Sequence, residues 1–304
     1  MKAVTRPSMV APASTARPWT TDRVRRAIGQ ALIYIILVVG AFVVCFPWIW
    51  MILTSLKTPG DILRIPLTVF PHQWMWRNYL DVLVQGTRPM WVYVKNSLII
   101  VVLVETGILV SNTVVAFGFS RLHWKFRDAV FIAVLATMML PSQVTMIPVF
   151  AMFTAKLHWT NTYLPLVVPA FLGAPWAIFL LRQYMMTIPS ELDDAARIDG
   201  CSTFGLFARV IVPMSAPVLA VVAIFTFNSV WNDFFGPLLY LSKPKLFTVA
   251  QWLAGVGAPG APGQPIRYDL LMAASLLTSV PMALLFFVFQ RQFIQGIVIT
   301  GVKG

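Results

Sequence analysis

The chain has 304 residues, 58% of them hydrophobic and only 11% charged, with a mean hydropathy of +0.77. A soluble domain carries about a quarter of its residues charged to wet its surface, so this composition excludes an ordinary soluble fold and points to an integral membrane protein. The formal net charge of +12 is explained by basic residues flanking apolar runs beside anionic lipid, with no nucleic-acid partner needed.

Residues 1–27 hold Lys2, Arg6, Arg17, Arg23, Arg25 and Arg26 among Pro, Ala, Ser and Thr, without apolar periodicity. They read as a disordered basic cytoplasmic tail. The apolar run that follows is longer than the 7–15 residues or so of a signal-peptide core, and no small-residue cleavage site closes it. A membrane-spanning helix needs roughly 20 apolar residues, and six runs supply them: 28–51, 96–119, 129–153, 163–181, 216–240 and 270–290. The fold expected is therefore all-α with six transmembrane helices. Strands are excluded because the runs are continuously apolar, whereas a membrane barrel alternates. Residues 28–94 form the first span and a long outer loop, 95–290 a transmembrane core, and 291–304 a cytoplasmic C-terminal tail.

Arg121, Lys125 and Arg127 follow the second run while Lys156 alone follows the third, so the charge bias places both termini in the cytoplasm. Lys57, Arg64, Arg77 and Arg88 in 54–94 weigh the other way, partly offset by Asp61 and Asp81. Trp74, Trp76, Trp91 and Tyr93 read as an interfacial aromatic belt. Cys45 lies in the first span and Cys201 on the cytosolic side, a separation that precludes a disulfide.

Between the fourth and fifth runs the chain spends about 30 residues, 182–213, where most connections take about 2–8. Pro189 stops one helix, and Ser190 with Asp193 has the spacing of a capping box that starts another. Glu191, Asp193 and Asp194 then sit at the positive end of its dipole. Leu192, Ala195, Ala196 and Ile198 form a narrow small-residue stripe, Gly200 ends the helix, and Ser202 caps a further one carrying Phe204, Phe207, Val210 and Ile211 to Pro213. Two roles are open to such a helix. It can be a solvated surface element, or it can seat in a groove on a partner, with alanines permitting close approach and carboxylates pairing with arginine.

Glu105 and Asp233 are ionisable side chains well inside the expected spans, where a bare carboxylate costs about 2.5–3.5 kcal/mol and should face the bundle interior or water. Asn228 and Asn232 share a helix face, with Trp231 and Asp233 beside them. Amides with an aromatic suit sugar hydroxyls and pyranose faces, while interhelical hydrogen bonding suits them equally. Glu105 can be protonated and lipid-shielded, paired across a subunit interface, or in contact with solute. The chain has no G-x-x-x-x-G-K-[ST] phosphate loop, no His-Glu-x-x-His and no G-x-S-x-G. No catalytic residue, metal ligand or bound cofactor is therefore expected. His72, His123 and His158 lie in loops or at membrane edges, and the small-residue stretch 255–263 reads as a flexible connector.

Asp194-Ala195-Ala196, Gly200 after three residues, and Val210-Ile211-Val212-Pro213 after nine more resemble the cytoplasmic signature Glu-Ala-Ala…Gly…Ile-x-Leu-Pro. That signature belongs to the permease subunits of binding-protein-dependent ABC importers. The chain departs from it by Asp194 in place of Glu and by valines in place of Ile and Leu. Further matches are Asn96-Ser97-Leu98, Ala116 through Leu122, Met138 through Val144, Trp231-Asn232-Asp233-Phe234 and the tail Gln290 through Gly296 with Gly301 through Gly304. These resemble the maltose-type carbohydrate-uptake branch.

The resemblance implies a type I importer permease, noncatalytic, that forms half a pore with a second permease subunit in a prokaryotic cell membrane. It also implies two cytosolic ATPase subunits that consume ATP and an extracytoplasmic solute-binding protein. Glu191, Asp194, Ala195, Ala196, Asp199, Gly200 and Pro213 would couple to an ATPase, with Gly301, Lys303 and Gly304 as tail contacts to it. Glycerol-3-phosphate and other polyol phosphates use permeases of the same look. From a different class, an ion-coupled secondary transporter would use Glu105 and Asp233 as relays, but it has no need of the long acidic segment.

Overall fold

A computed structural model describes residues 19–84, 89–258 and 266–301. Every regular element among them is helical, and no strand occurs among the described residues. The chain divides into two units, 1–50 and 51–304.

The first unit holds most of α1 (Trp19–Ser55), which starts inside the segment expected to be a disordered tail; residues 1–18 lie outside the described residues. Its span has a mean hydropathy of 2.7 and none of its apolar window is buried within the chain. Phe42, Phe46 and Trp50 climb one face at i, i+4 spacing, with ring centroids 6.3 and 6.1 Å apart.

In the second unit, the chain after Ser55 is long but not loose. Thr58 caps the short α2 (Pro59–Ile62) by accepting from the Asp61 N–H at 3.2 Å. The Asn78 amide, in α3 (Arg77–Val84), donates to the carbonyls of Ser55 at 2.8 Å and Lys57 at 3.2 Å. The Tyr79 hydroxyl is 2.8 Å from Ser55 Oγ. Lys57 is buried and donates to the Thr68 carbonyl; burial pushes its ammonium below the ordinary lysine pKa, with nearby Asp61 opposing. Trp74, Trp76 and Trp91 are exposed, as a belt requires, but Tyr93 is buried and stacks on Trp252 at 5.8 Å. It belongs to the core and not to a belt.

The central element is α4 (Met90–Arg121), unbroken over 32 residues with no proline among them. Ile100, Val104 and Ile108 repeat at four-residue spacing on its buried face, with Ala116 and Phe117 further on. The third expected span is not one straight helix. The arm containing α5 (Arg127–Ala136) meets the arm containing α6 (Ser142–Ala151) at 95° around Pro141, which cannot continue a helix. The fourth runs as α7 (Leu164–Val167), a 3-10 turn (Val168–Phe171), a break, and α8 (Pro175–Met185). Gly173 takes the break at φ +106°, and Asn112 of α4 accepts the Ala174 N–H at 2.6 Å. A broken helix inside a bilayer survives only where such a partner satisfies its freed backbone.

Beyond α8 come α9 (Glu191–Ile198), α10 (Thr203–Leu206), a π-helical turn (Phe207–Ile211) and α11 (Val212–Met214). The chain then bends by 72° at buried Ser215 into α12 (Ala216–Trp231). The fifth span was expected to run on to 240, but α12 stops at Trp231. Asn232 and Asp233 turn their side chains onto local backbone, and α13 (Phe235–Tyr240) starts afresh. A capping box at Thr248 and Gln251 opens α14 (Val249–Gly255), and α15 (Tyr268–Gly301) closes the chain.

Among the described residues four helical stretches are long and apolar enough to cross a membrane, the one interrupted at Gly173 included, and each of the two bent pairs supplies one more crossing if counted as a span. Two larger apolar cores and a small one around Phe119, Phe131 and Ile178 hold the described part of the second unit together. Of the larger two, one joins α4 to α8 and α12 through Ile108, Phe117, Leu181 and Val222. The other joins α4 and α12 to α14 and α15 through Val101, Trp231, Trp252 and Ala273.

Candidate functional site

The 186–213 segment is built around an inward-facing carboxylate. Ser190 does not cap α9 with its side chain; its carbonyl takes the Asp193 and Asp194 N–H groups at 2.9 and 3.2 Å. The expected capping box therefore fails, because Asp193 is turned beneath the helix. There its Oδ2 lies 3.2 Å from Arg121 Nη1, and the same guanidinium donates through Nη2 to the carbonyls of Met185 and Ile188, each at 2.7 Å. Burial of Asp193 leaves Glu191, Asp194, Ala195, Asp199 and Gly200 exposed, while Ala196 is half-buried and leans on the core. Gly200 closes the helix at φ +78°, a left-handed turn that a side chain strains, with open space around the missing Cβ. Ser202 caps α10 as its sequence position implies, accepting the Gly205 N–H at 3.1 Å. Pro213 is exposed in the first turn of α11.

Sequence reasoning missed two side groups here. Ile198 is 86% exposed and Phe204 75% exposed, so this charged segment also offers bulky apolar surface. Arg121 reads in sequence as an ordinary basic flank and Arg182 only as the start of the long connection, yet both are internal braces. Arg182 Nε donates to the Phe119 carbonyl at 3.3 Å, Nη2 lies 3.5 Å from Asp128 Oδ1, and the guanidinium stands 4.1 Å over the Phe131 ring. No local spacing announces partners more than 50 residues away.

The polar residues of the spans do not converge. Glu105 is half-buried midway along α4 and has no hydrogen bond or ion pair among the described residues. Asn228 and Asn232 are exposed and bond each other: Asn232 Nδ2 donates to the Asn228 carbonyl at 2.9 Å and to its Oδ1 at 2.8 Å. Trp231 is buried the other way, giving its indole N–H to the Thr278 carbonyl of α15 at 3.1 Å and stacking on Phe227. The Asp233 carboxylate accepts the Gly236 N–H at 3.0 Å. With Ser97, Val104, Leu166 and Val230 it lines a cavity of about 60 Å³, far below the roughly 300–1,000 Å³ of small-molecule pockets. Gly301 ends α15; Lys303 and Gly304 lie outside the described residues. No cluster of three potential metal ligands occurs among the described residues.

Residues 106–299 match the family model of the binding-protein-dependent transport system inner membrane component. The chain belongs to that family. It is thus the permease component of a binding-protein-dependent ABC importer, a transporter part and not a catalytic subunit. It is 34% identical over 266 residues to the arabinooligosaccharides transport system permease protein AraQ of Halalkalibacterium halodurans, covering 87% of this chain and 93% of the relative. It is 32% identical over 280 residues to the trehalose/maltose transport system permease protein MalG of Thermococcus litoralis, covering 90% and 99%. With the sn-glycerol-3-phosphate transport system permease protein UgpE of Pectobacterium atrosepticum it shares 30% over 270 residues, covering 87% and 94%.

The permease fold also superposes on a chain from a bacterial ABC transporter involved in the import of the acidic polysaccharide alginate. That match has a TM-score of 0.75 at 18% identity and covers 90% of this chain and 97% of the other. A second alginate transporter structure, in complex with an alginate pentasaccharide-bound periplasmic protein, matches with a TM-score of 0.59 at 16% identity, covering 88% and 94%. At these identities the likeness shows the fold alone.

Proposed function

We propose that this permease forms half of an inward translocation path for a sugar or sugar derivative, paired with a second permease subunit and driven by two ATPase subunits. A solute-binding protein delivers the cargo from outside. In this reading both bent helix pairs cross the bilayer, giving six spans with cytoplasmic termini, and α9 is the cytoplasmic coupling helix. The observation that carries it is the division of faces on α9. Asp193 anchors the helix inward, while Glu191, Asp194 and Ala195 face outward beside exposed Ile198 and Phe204. A segment that needed only solvent would not hold two large apolar side chains in the open, one on α9 and one on α10. The relatives named for arabinooligosaccharides and for trehalose and maltose support a carbohydrate cargo. The relative named for sn-glycerol-3-phosphate supports a polyol phosphate as the second reading. Against it, Arg121 and Arg182 are both committed to protein oxygens.

The test is Ala195→Asp in the assembled transporter. A carboxylate on the outward face should leave the chain inserted yet strip the ATPase subunits from it and abolish solute-dependent ATP hydrolysis. Full coupling in that variant, or uphill uptake by the purified chain alone in liposomes, would overturn the proposal.

A further inference from the structure

We infer that Arg121 is a positioning residue that welds α9 to the end of α4, so that force arriving at α9 is delivered to α4 and, through Arg182, to α5. The inference rests on the importer reading, and it adds the load path inside this chain. One guanidinium reaches three acceptors on three consecutive pieces of chain: the Met185 carbonyl ending α8, the Ile188 carbonyl in the turn, and Asp193 in α9. The carbonyls at a helix C-terminus have no partner within the helix, and Arg121 occupies two oxygens there while holding the next helix by its carboxylate. The side chains of Arg121 and Asp193 are 7% and 12% exposed, so water does not compete for the link. Only a planar, multi-donor head serves three acceptors at once; a lysine ammonium would not hold them in one plane.

Stability alone does not account for the pair. Arg121 Nε and Asp193 Oδ1 are buried without hydrogen-bond partners among the described residues, and a pair that leaves such atoms unmet is no better for folding than packed apolar side chains. What a charged link adds is direction: it resists sliding of α9 along the end of α4. Arg182 extends the path, since it leaves α8 to grip the Phe119 carbonyl of α4, Asp128 at the start of α5 and the Phe131 ring. α5 is one arm of the 95° bent pair, so a load on α9 reaches a jointed element through two arginines.

The experiment uses the transporter purified with its coexpressed partner permease and ATPase subunits in nanodiscs. Cys45 and Cys201 are replaced by serine, and spin labels are placed at exposed Val114 of α4 and Arg197 of α9. In the otherwise unmutated complex, the label distance should change by less than about 2 Å, the size of a helix shift, between the nucleotide-free and ADP–vanadate-trapped states. In Arg121→Ala and Asp193→Asn it should change by more than that, and Asp193→Glu should restore the fixed distance. A passive brace predicts the same distances in every variant, which would overturn the inference. A change well above 2 Å in the unmutated complex would overturn it too, even if no variant assembles. Absence of copurifying ATPase subunits from the unmutated complex is a different failure, and it brings down the importer reading itself.

Discussion

Replacing Asn112 with alanine removes the side chain that makes the break before α8 tolerable. Asn112 is fully buried; its Oδ1 takes the Ala174 N–H at 2.6 Å and its Nδ2 gives to the Ile108 carbonyl at 2.6 Å. The second bond returns to its own helix and matters little, but the first has no substitute, because the bend at Gly173 points the Ala174 N–H away from any helical acceptor. An orphaned buried N–H costs about 1–3 kcal/mol, whereas side-chain hydrogen bonds within membranes average about 0.6 and reach about 1.7 kcal/mol. A working value of about 1–2 kcal/mol follows, since this bond bridges two helices at a helix start. At about 2–4 °C per kcal/mol for a chain of this class, Asn112→Ala should lower the unfolding midpoint by roughly 2–8 °C in detergent. Thr106→Ala is the control: its exposed hydroxyl bonds the Val102 carbonyl of its own helix at 2.7 Å, and its loss should cost less than about 0.5 kcal/mol. Equal shifts in the two variants would refute the capping argument.

Trp231→Phe keeps an aromatic ring to stack on Phe227 but deletes the 3.1 Å bond to the Thr278 carbonyl; about 1 kcal/mol of stability should go, read as a lower thermal midpoint. Lys57 gives a pH signature. Its folded pKa is pushed below the ordinary 10.5 by burial, so the unfolded chain holds the proton more tightly. Stability should therefore rise with pH between the folded value and about 10.5, and the contribution fades as pH falls through the folded value. Alkaline thermal melts of Lys57→Met should lack that rise.

The membrane character, the unbroken second and last spans, and the ends of α9 were legible because each has a local cause: apolar length, Pro189 before the helix, Gly200 and Ser202 after it. The breaks at 141, 173 and 232 were not legible, since a hydropathy window averages across Pro141, Gly173 and Asn232 without asking where the released backbone groups go. For the break at 173 the answer lies in Asn112, about 60 residues upstream, and no window contains both. The inward turn of Asp193 escaped for the same reason. Its sequence neighbours make it a first-turn acid favoured by the helix dipole, and only Arg121 arriving from another helix makes it an anchor. Tyr93 looked interfacial beside Trp91, but alternate sides of α4 separate them.

One pairing near the end of α12 constrains how this chain can vary. A Cβ at position 236 would stand 2.5 Å from Asp233 Oδ2, so the carboxylate would have to move, and the Gly236 N–H is what the same carboxylate holds. A side chain at 236 would therefore push the carboxylate off the very N–H it holds and unfasten the first turn of α13.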